Sequence, residues 1–327
     1  MSDSRQPGMR AWFKRHWALI RKVLIGAFVV LILTLLGMAV VKVDWNEVLE
    51  AMRKLPNQAI WMAALITVGS YIVYSSYELL GKWYTGHGLA WWRCMMVGFI
   101  SYAFTMSMGA PVGGVGLRMR LYGKQGLQQG EIMRVLGLSL VTNWMGYVLV
   151  AGFLFAAGVV QLPEEWKLGM GPFRLIGGLM MAACIAYLGV CAFSSRRSWT
   201  LFDHEIELPP IGMALTQIIV AVTNWMLIGL VIYVLLQQQI PYGLVLGVLL
   251  ISAIAGALAH IPGGLGVIEA VFIILLGAEL GRGQILGAML VYRAIYYVCP
   301  LIMAGTWYLG TEVKMRKPAR HANCSSK

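Results

Sequence analysis

Long apolar runs separated by short polar stretches dominate the chain, near residues 23–41, 58–80, 132–160, 173–193, 211–236 and 284–310. A helix needs about 20 apolar residues to cross the hydrocarbon of a bilayer, so the pattern predicts six spanning helices joined by short loops. Two further runs, 94–109 and 242–260, behave differently. The first ends at Gly109-Ala110-Pro111-Val112-Gly113-Gly114-Val115-Gly116, the second at Ile261-Pro262-Gly263-Gly264-Leu265-Gly266, and each resumes as another short helix-like piece. Proline removes a backbone donor, and each glycine costs a helix about 1 kcal/mol relative to alanine. Broken backbone at membrane depth survives only where protein buries it or a wet cavity hydrates it. The expectation is two re-entrant hairpins, near 94–125 and 242–280, turning at Pro111, Gly113, Gly114 and Gly116 and at Pro262, Gly263, Gly264 and Gly266. Ordinary turns at the membrane surface are the alternative.

Composition sharpens this into a fold class. With 59% apolar residues, 12% charged ones and a mean hydropathy of +0.72, the chain is too apolar for a water-soluble domain. It reads as an all-α, polytopic membrane helix bundle forming a single integral domain over residues 1–327. Its parts are a basic tail (1–22), a first half (23–160), a second half (173–310) and a second tail (311–327), with no room for a soluble catalytic domain. The run from Val23 to Val41 follows six basic residues but is too long for a signal-peptide core, so it reads as an uncleaved first helix. Cys94, Cys184, Cys191, Cys299 and Cys324 have no metal-type spacing and read as core thiols.

The net charge of +12 lies in tails and loops rather than in a stripe, which sets nucleic acid aside and points to topology and lipid headgroups. If both broken segments return to the side they entered, nineteen of the 26 Lys and Arg share one face of the membrane. Lys42, Arg53, Lys54, Lys167, Arg174 and Arg282 fall on the other, and Arg293 lies inside the last span. The positive-inside rule then places both termini in the cytoplasm. In that scheme the second half is the first turned upside down, and interrupted helices at corresponding places in inverted halves point to a transporter's binding site. Beyond the Gly-Gly-x-Gly turns, residue-level similarity between the halves is not evident. The triplets Thr142-Asn143-Trp144 and Thr223-Asn224-Trp225 fall in non-equivalent spans.

Charged groups inside a bilayer cost at least about 2.5 to 3.5 kcal/mol each, so they tend to face protein or water and to be functional. Glu269 follows the second glycine turn, and Arg118 and Arg120 follow the first. Arg293 sits inside the last span with Tyr296 and Tyr297 on neighbouring helical faces. The expected site gathers Arg118, Arg120, Glu269, Arg293 and Tyr297, with the arginines receiving a lipid phosphate in bidentate fashion. A structural bridge between Glu269 and Arg293 or Arg118 is the competing reading. Asn143 and Asn224 are mid-span amides that join helices or touch substrate. His260 reads as a core histidine, and Glu78 as a residue reaching the interface. No zinc-protease, nucleophile-elbow or phosphate-loop motif is present, so no cofactor, metal or catalytic residue is expected.

Several stretches carry a resemblance: Lys42-Val43-Asp44-Trp45, Ser101-Tyr102-Ala103-Phe104, Arg118-Met119-Arg120-Leu121-Tyr122, the Thr-Asn-Trp triplets, and above all His260-Ile261-Pro262-Gly263-Gly264-Leu265-Gly266-Val267-Ile268-Glu269. Over nearly its whole length the chain resembles a family of bacterial inner-membrane proteins related to the transmembrane flippase half of lysylphosphatidylglycerol synthases. That half moves modified phospholipid between leaflets, and the synthases carry a soluble aminoacyl transferase domain after it. Here about 17 residues follow the last span. The resemblance therefore implies lipid movement, with an anionic phospholipid as partner and a lipid synthase as a second class of partner. A membrane-embedded lipid-modifying enzyme, with Glu269 as base, and a non-catalytic companion of a lipid synthase stay open.

Overall fold

The computed structural model describes residues 45–160, 170–194, 198–201, 204–259 and 261–316. The first apolar run, the basic tail, Lys42, Lys167, His260 and the last residues from 317 onward lie outside them. Among the described residues the chain is a helical bundle with six helices long and apolar enough to cross a membrane: Asn57–Thr85, Gln129–Ala156, Gly171–Phe193, Ile211–Leu235, Tyr242–Ala259 and Arg282–Thr311. This is the polytopic all-α architecture expected from the hydropathy pattern. One antiparallel β-hairpin was not anticipated: β1 (Ser198–Leu201) pairs with β2 (His204–Glu207).

The helices run in chain order as α1 (Trp45–Lys54), α2 (Asn57–Ser75), α3 (Tyr77–Thr85), α4 (Trp91–Met108) and α5 (Arg118–Lys124), then α6 (Gln129–Ala156), α7 (Met170–Phe193), α8 (Ile211–Leu235) and α9 (Tyr242–Ala259), and finally α10 (Val267–Leu276), α11 (Arg282–Arg293) and α12 (Cys299–Arg316). Helix is the only way such apolar segments satisfy their own backbone without water. Their ends carry the usual stops. Gly86 and Gly158 adopt left-handed φ of 70° and 68°, and α6 starts in a capping box in which the Gln128 N–H donates to Glu131 Oε2 at 3.0 Å.

Small residues let the central helices approach closely, as membrane bundles require. A Cβ at Gly146 of α6 would overlap Ala221 of α8, and one at Gly177 of α7 would overlap the backbone of Ala156. By contrast Trp61, Leu65, Leu175, Leu179 and Phe193 are exposed large apolar side chains, the outer surface that lipid would cover. Cys94, Cys184 and Cys191 are buried thiols, whereas Cys299 is exposed, so the core reading fails for that one.

Both interrupted segments reverse the chain. At Gly109, φ 88°, α4 ends, and residues Ala110–Leu117 wind as a π-helical stretch packed back against α4. A Cβ at Gly113 would run into the backbone of Phe104 and Thr105, so only glycine allows this fold-back. The second reversal is a single 3₁₀ turn, Pro262–Gly264, after which α10 returns along α9. Gly263, Gly264 and Gly266 all adopt positive φ there, a region that side-chain-bearing residues enter at a cost of about 1 to 2 kcal/mol. The two tips meet: the place a Gly263 Cβ would occupy is 2.9 Å from the Met106 carbonyl.

Candidate functional site

Between the two tips lies a cavity of about 380 Å³. Ala110 of the first turn and Ile261, Gly263 and Gly264 of the second contribute to its wall. Six tyrosines and two tryptophans line it, together with aliphatic side chains from α6, α8 and α9. The lining holds no Lys, Arg, Asp, Glu or His among the described residues.

The charge lies just behind this wall. Arg293, at the end of α11, donates Nε to Glu269 Oε1 and Nη2 to Glu269 Oε2, the latter at 3.2 Å. Its Nη1 and Nη2 also donate to the Gly263 and Gly264 carbonyls, both at 2.9 Å, and its guanidinium carbon sits 5.0 Å from the centre of the Tyr297 ring. One side chain thus ties the carboxylate, two turn carbonyls and a cavity-lining aromatic together. The two side chains keep 12% and 14% of their surface exposed, so the pair is partly accessible.

Arg118 occupies a tighter place. Its Nε donates to Glu78 Oε1 at 2.7 Å, its Nη1 to the Gly114 carbonyl at 3.1 Å, and its Nη2 reaches Ser139 Oγ at 3.5 Å. The Tyr122 hydroxyl takes the second Glu78 oxygen at 2.7 Å. Glu78 is fully buried, which corrects its reading as a residue reaching the interface. Glu78 faces Arg118 and Tyr122 of α5 rather than water, and a buried carboxylate must be paired. The signal was present in the sequence: a lone acid inside an apolar span calls for a cation, and Arg118 and Tyr122, one helical turn apart, both reach it. Glu78→Gln would strand a buried guanidinium, at a cost of roughly 3 to 5 kcal/mol, while replacing Glu78 and Arg118 together with Leu and Met recovers much of that. Thermal unfolding in detergent checks this, and an unchanged midpoint for Glu78→Gln would refute it.

The two arginines are therefore not a joint cluster, since each has its own carboxylate and its own glycine turn. Counted from Pro111 and from Pro262, Arg118 and Glu269 both fall at the seventh following position, whereas the Gly-Gly-x-Gly runs start one residue further from Pro111 than from Pro262. The first hairpin presents the cation of its pair and the second presents the anion. Arg120 is exposed, with its guanidinium 5.8 Å from the Tyr308 ring. Just outside the spans, the His87 imidazole is pushed below its ordinary range by burial and by the Lys82 ammonium.

Asn143 is half-buried and lines the cavity, and Trp225 donates its indole N–H to the Asn143 carbonyl at 3.3 Å. The two Thr-Asn-Trp triplets thus meet through Trp225 and Asn143, where α6 and α8 pack together. Asn224 has a different place: 1% exposed, it accepts the Ser70 hydroxyl at 2.8 Å. Because Ser70 has only one proton, Tyr296 must donate to Ser70 (2.7 Å), and Tyr102 must donate to Tyr296 (2.9 Å). Tyr102 and Tyr296 line the cavity, so Asn224 anchors its tyrosine wall from behind. Pro300 brings no N–H to the Tyr296 carbonyl, and the Tyr71 hydroxyl donates to that oxygen at 2.9 Å instead. The helix is locally π-wound at Ala294–Val298, as helices often are at functional sites, and this swings Tyr296 and Tyr297 toward the cavity. Sequence reasoning missed Ser70, Tyr102 and Tyr292 here, because no local pattern marks a tyrosine as a cavity wall.

Comparison with known proteins fits this architecture. The profile of the family described as the lysylphosphatidylglycerol synthase TM region matches residues 20–304. The inner membrane protein YbhN of Escherichia coli is 43% identical over 304 residues, covering 92% of this chain and 95% of that one. The Synechocystis protein slr0712 is 29% identical over 79% of this chain and 80% of its own length. A phosphatidylglycerol lysyltransferase of Bacillus subtilis is 26% identical over 84% of this chain, which corresponds to 32% of the enzyme. The chain therefore belongs to the family of the lysylphosphatidylglycerol synthase TM region.

Proposed function

We propose that this protein moves phospholipid between the leaflets of the bacterial inner membrane, holding the lipid phosphate at Arg293 while the adjoining head and upper chains occupy the cavity between the hairpin tips. The observation that carries the reading is the partly exposed Arg293 guanidinium, bonded to both turn carbonyls of the second hairpin directly behind a cavity wall that is otherwise aromatic and aliphatic. Arg binds phosphate in a fork that Lys cannot reproduce. A lipid needs this combination of one polar contact and a large apolar enclosure, whereas a soluble metabolite would need more polar groups. The name of the Escherichia coli relative supports the inner-membrane location. The lysyltransferase activity named for the Bacillus relative supports a phospholipid as the molecule handled.

In this reading both broken segments are re-entrant hairpins, both termini are cytoplasmic and the halves form an inverted repeat. The matched seventh positions after Pro111 and Pro262 and the one-sided basic residues support it. Arg118, sealed by Glu78, holds the first hairpin, Arg120 lies at the surface, and Asn143 and Tyr297 touch the bound head. The chain itself does not modify the lipid.

The test uses purified protein in vesicles carrying fluorescent acyl-labelled phospholipids, with an impermeant reductant reporting the fraction that has changed leaflet. Protein-containing vesicles are expected to exchange lipid well above the protein-free rate. Filling the cavity with Ala253→Trp returns the rate to that baseline while the protein stays folded. Equal rates with and without protein, or normal movement in the filled variant, would refute the reading.

A further inference from the structure

We infer that the lipid headgroup carried by this site is a zwitterion, bearing an ammonium as well as a phosphate, rather than a net anion. The inference rests on the lipid-moving reading above and follows from counting charge. Arg293 and Glu269 form a neutral pair behind the wall, and no charged side chain lines the cavity itself among the described residues. Four hydrogen bonds take four of the five Arg293 N–H groups: two go to Glu269 and two to the Gly263 and Gly264 carbonyls. Glu269 holds the Nε–Nη2 edge, so a phosphate that engages this edge of the guanidinium in bidentate fashion displaces Glu269.

If the incoming head carried only the phosphate, the displaced carboxylate would be left with one uncompensated negative charge in a partly buried site facing an apolar cavity. Such an arrangement is strongly unfavourable. An ammonium two carbons from the phosphate removes the problem. The phosphate takes Arg293, the ammonium takes Glu269, one ion pair becomes two, and the site stays neutral throughout.

The walls are suited to the same group. Tyr297 already holds a cation over its face, the Arg293 guanidinium at 5.0 Å. Tyr292 packs edge-on against Tyr297 with centroids 5.6 Å apart, and Trp144 and Trp225 face Tyr147 from two sides at 5.5 Å each. Aromatic faces attract cations through their quadrupole, most strongly where water is scarce, and repel anions. A cavity walled by six tyrosines and two tryptophans welcomes an ammonium and gives a bare anion only the single arginine. Primary and quaternary ammonium heads share this chemistry. The first adds hydrogen bonds to Glu269, and the second relies on the rings.

The experiment compares acyl-labelled phosphatidylethanolamine, phosphatidylcholine and phosphatidylglycerol in otherwise identical vesicles, with wild-type protein, Glu269→Gln and Glu269→Asp. The two zwitterionic probes are expected to cross on the order of tenfold faster than phosphatidylglycerol with wild-type protein and with Glu269→Asp. Glu269→Gln is expected to lose that preference. If phosphatidylglycerol crosses as fast as the zwitterions in the wild type, the inference is overturned and lipid movement stands. If no probe crosses above the protein-free rate, both are overturned. Should Glu269→Gln keep the wild-type preference, the ammonium is not at Glu269. The wild-type comparison needs no variant, so poor folding of Glu269→Gln would not blunt the test.

Discussion

Gly113→Val is expected to abolish accumulation of folded protein in the membrane, whereas Gly114→Ala, one residue along, is expected to be nearly silent. The difference lies in what each Cβ would meet. At Gly113 it would overlap the backbone nitrogen of Thr105 and the carbonyl carbon of Phe104, and neither can move without unwinding the last turns of α4. At Gly114 the nearest atoms are Ala110 Cβ and Thr105 Oγ1, both at 3.7 Å, ordinary contact that tolerates a methyl group to within about 0.5 kcal/mol. Separating the first hairpin from α4 would also pull Gly114 away from Arg118 and so loosen the buried Glu78 pair. Membrane yield and unfolding temperature in detergent read both effects. Wild-type yield and melting for Gly113→Val would mean that the chain does not double back on α4 at this point.

That contrast also shows how far the sequence could be read. The helices were legible because lipid leaves an apolar segment few alternatives: every run from 58 onward that was long enough became a helix, with ends shifted by a few residues, as in Gln129–Ala156 against an expected 132–160. The Pro-Gly clusters at 109–116 and 261–266 were legible as breaks for the same reason, because glycine and proline act locally. Which glycine is pressed against a neighbour was not legible, since Gly113 and Gly114 are alike in sequence and differ only in the direction of a missing side chain. Likewise Arg293 and Glu269 could be recognised as costly residues, but the pairing Glu78–Arg118 joins groups 40 residues apart on different helices, which no local pattern specifies. The tyrosine wall depends on the π-wound stretch at 294–298 and on the buried Asn224, which no hydropathy pattern contains.

The largest functional effect is expected at the Glu269–Arg293 pair, where removing either charge harms the protein for a different reason. Arg293→Gln strands a carboxylate and also deprives the Gly263 and Gly264 carbonyls of their donor, so the second turn loses its brace. A loss of roughly 3 to 5 kcal/mol is expected for breaking a buried pair in this way. Glu269→Gln leaves Arg293 held by the two carbonyls and lying over Tyr297, so its cost should be nearer 1 to 3 kcal/mol, the scale of one poorly satisfied polar group. The double variant strands no charge and is expected to melt above Arg293→Gln alone. The two readings of the pair part at this variant. If the charges only brace the hairpin, the double variant recovers lipid movement along with its fold. If Arg293 receives the lipid phosphate, the double variant folds and moves nothing, because the anion site is gone although no charge is unpaired. Melting temperatures of the two single variants and the double, set beside leaflet exchange in vesicles, separate these outcomes, and a stable double variant with normal exchange would leave Glu269 and Arg293 as scaffold alone.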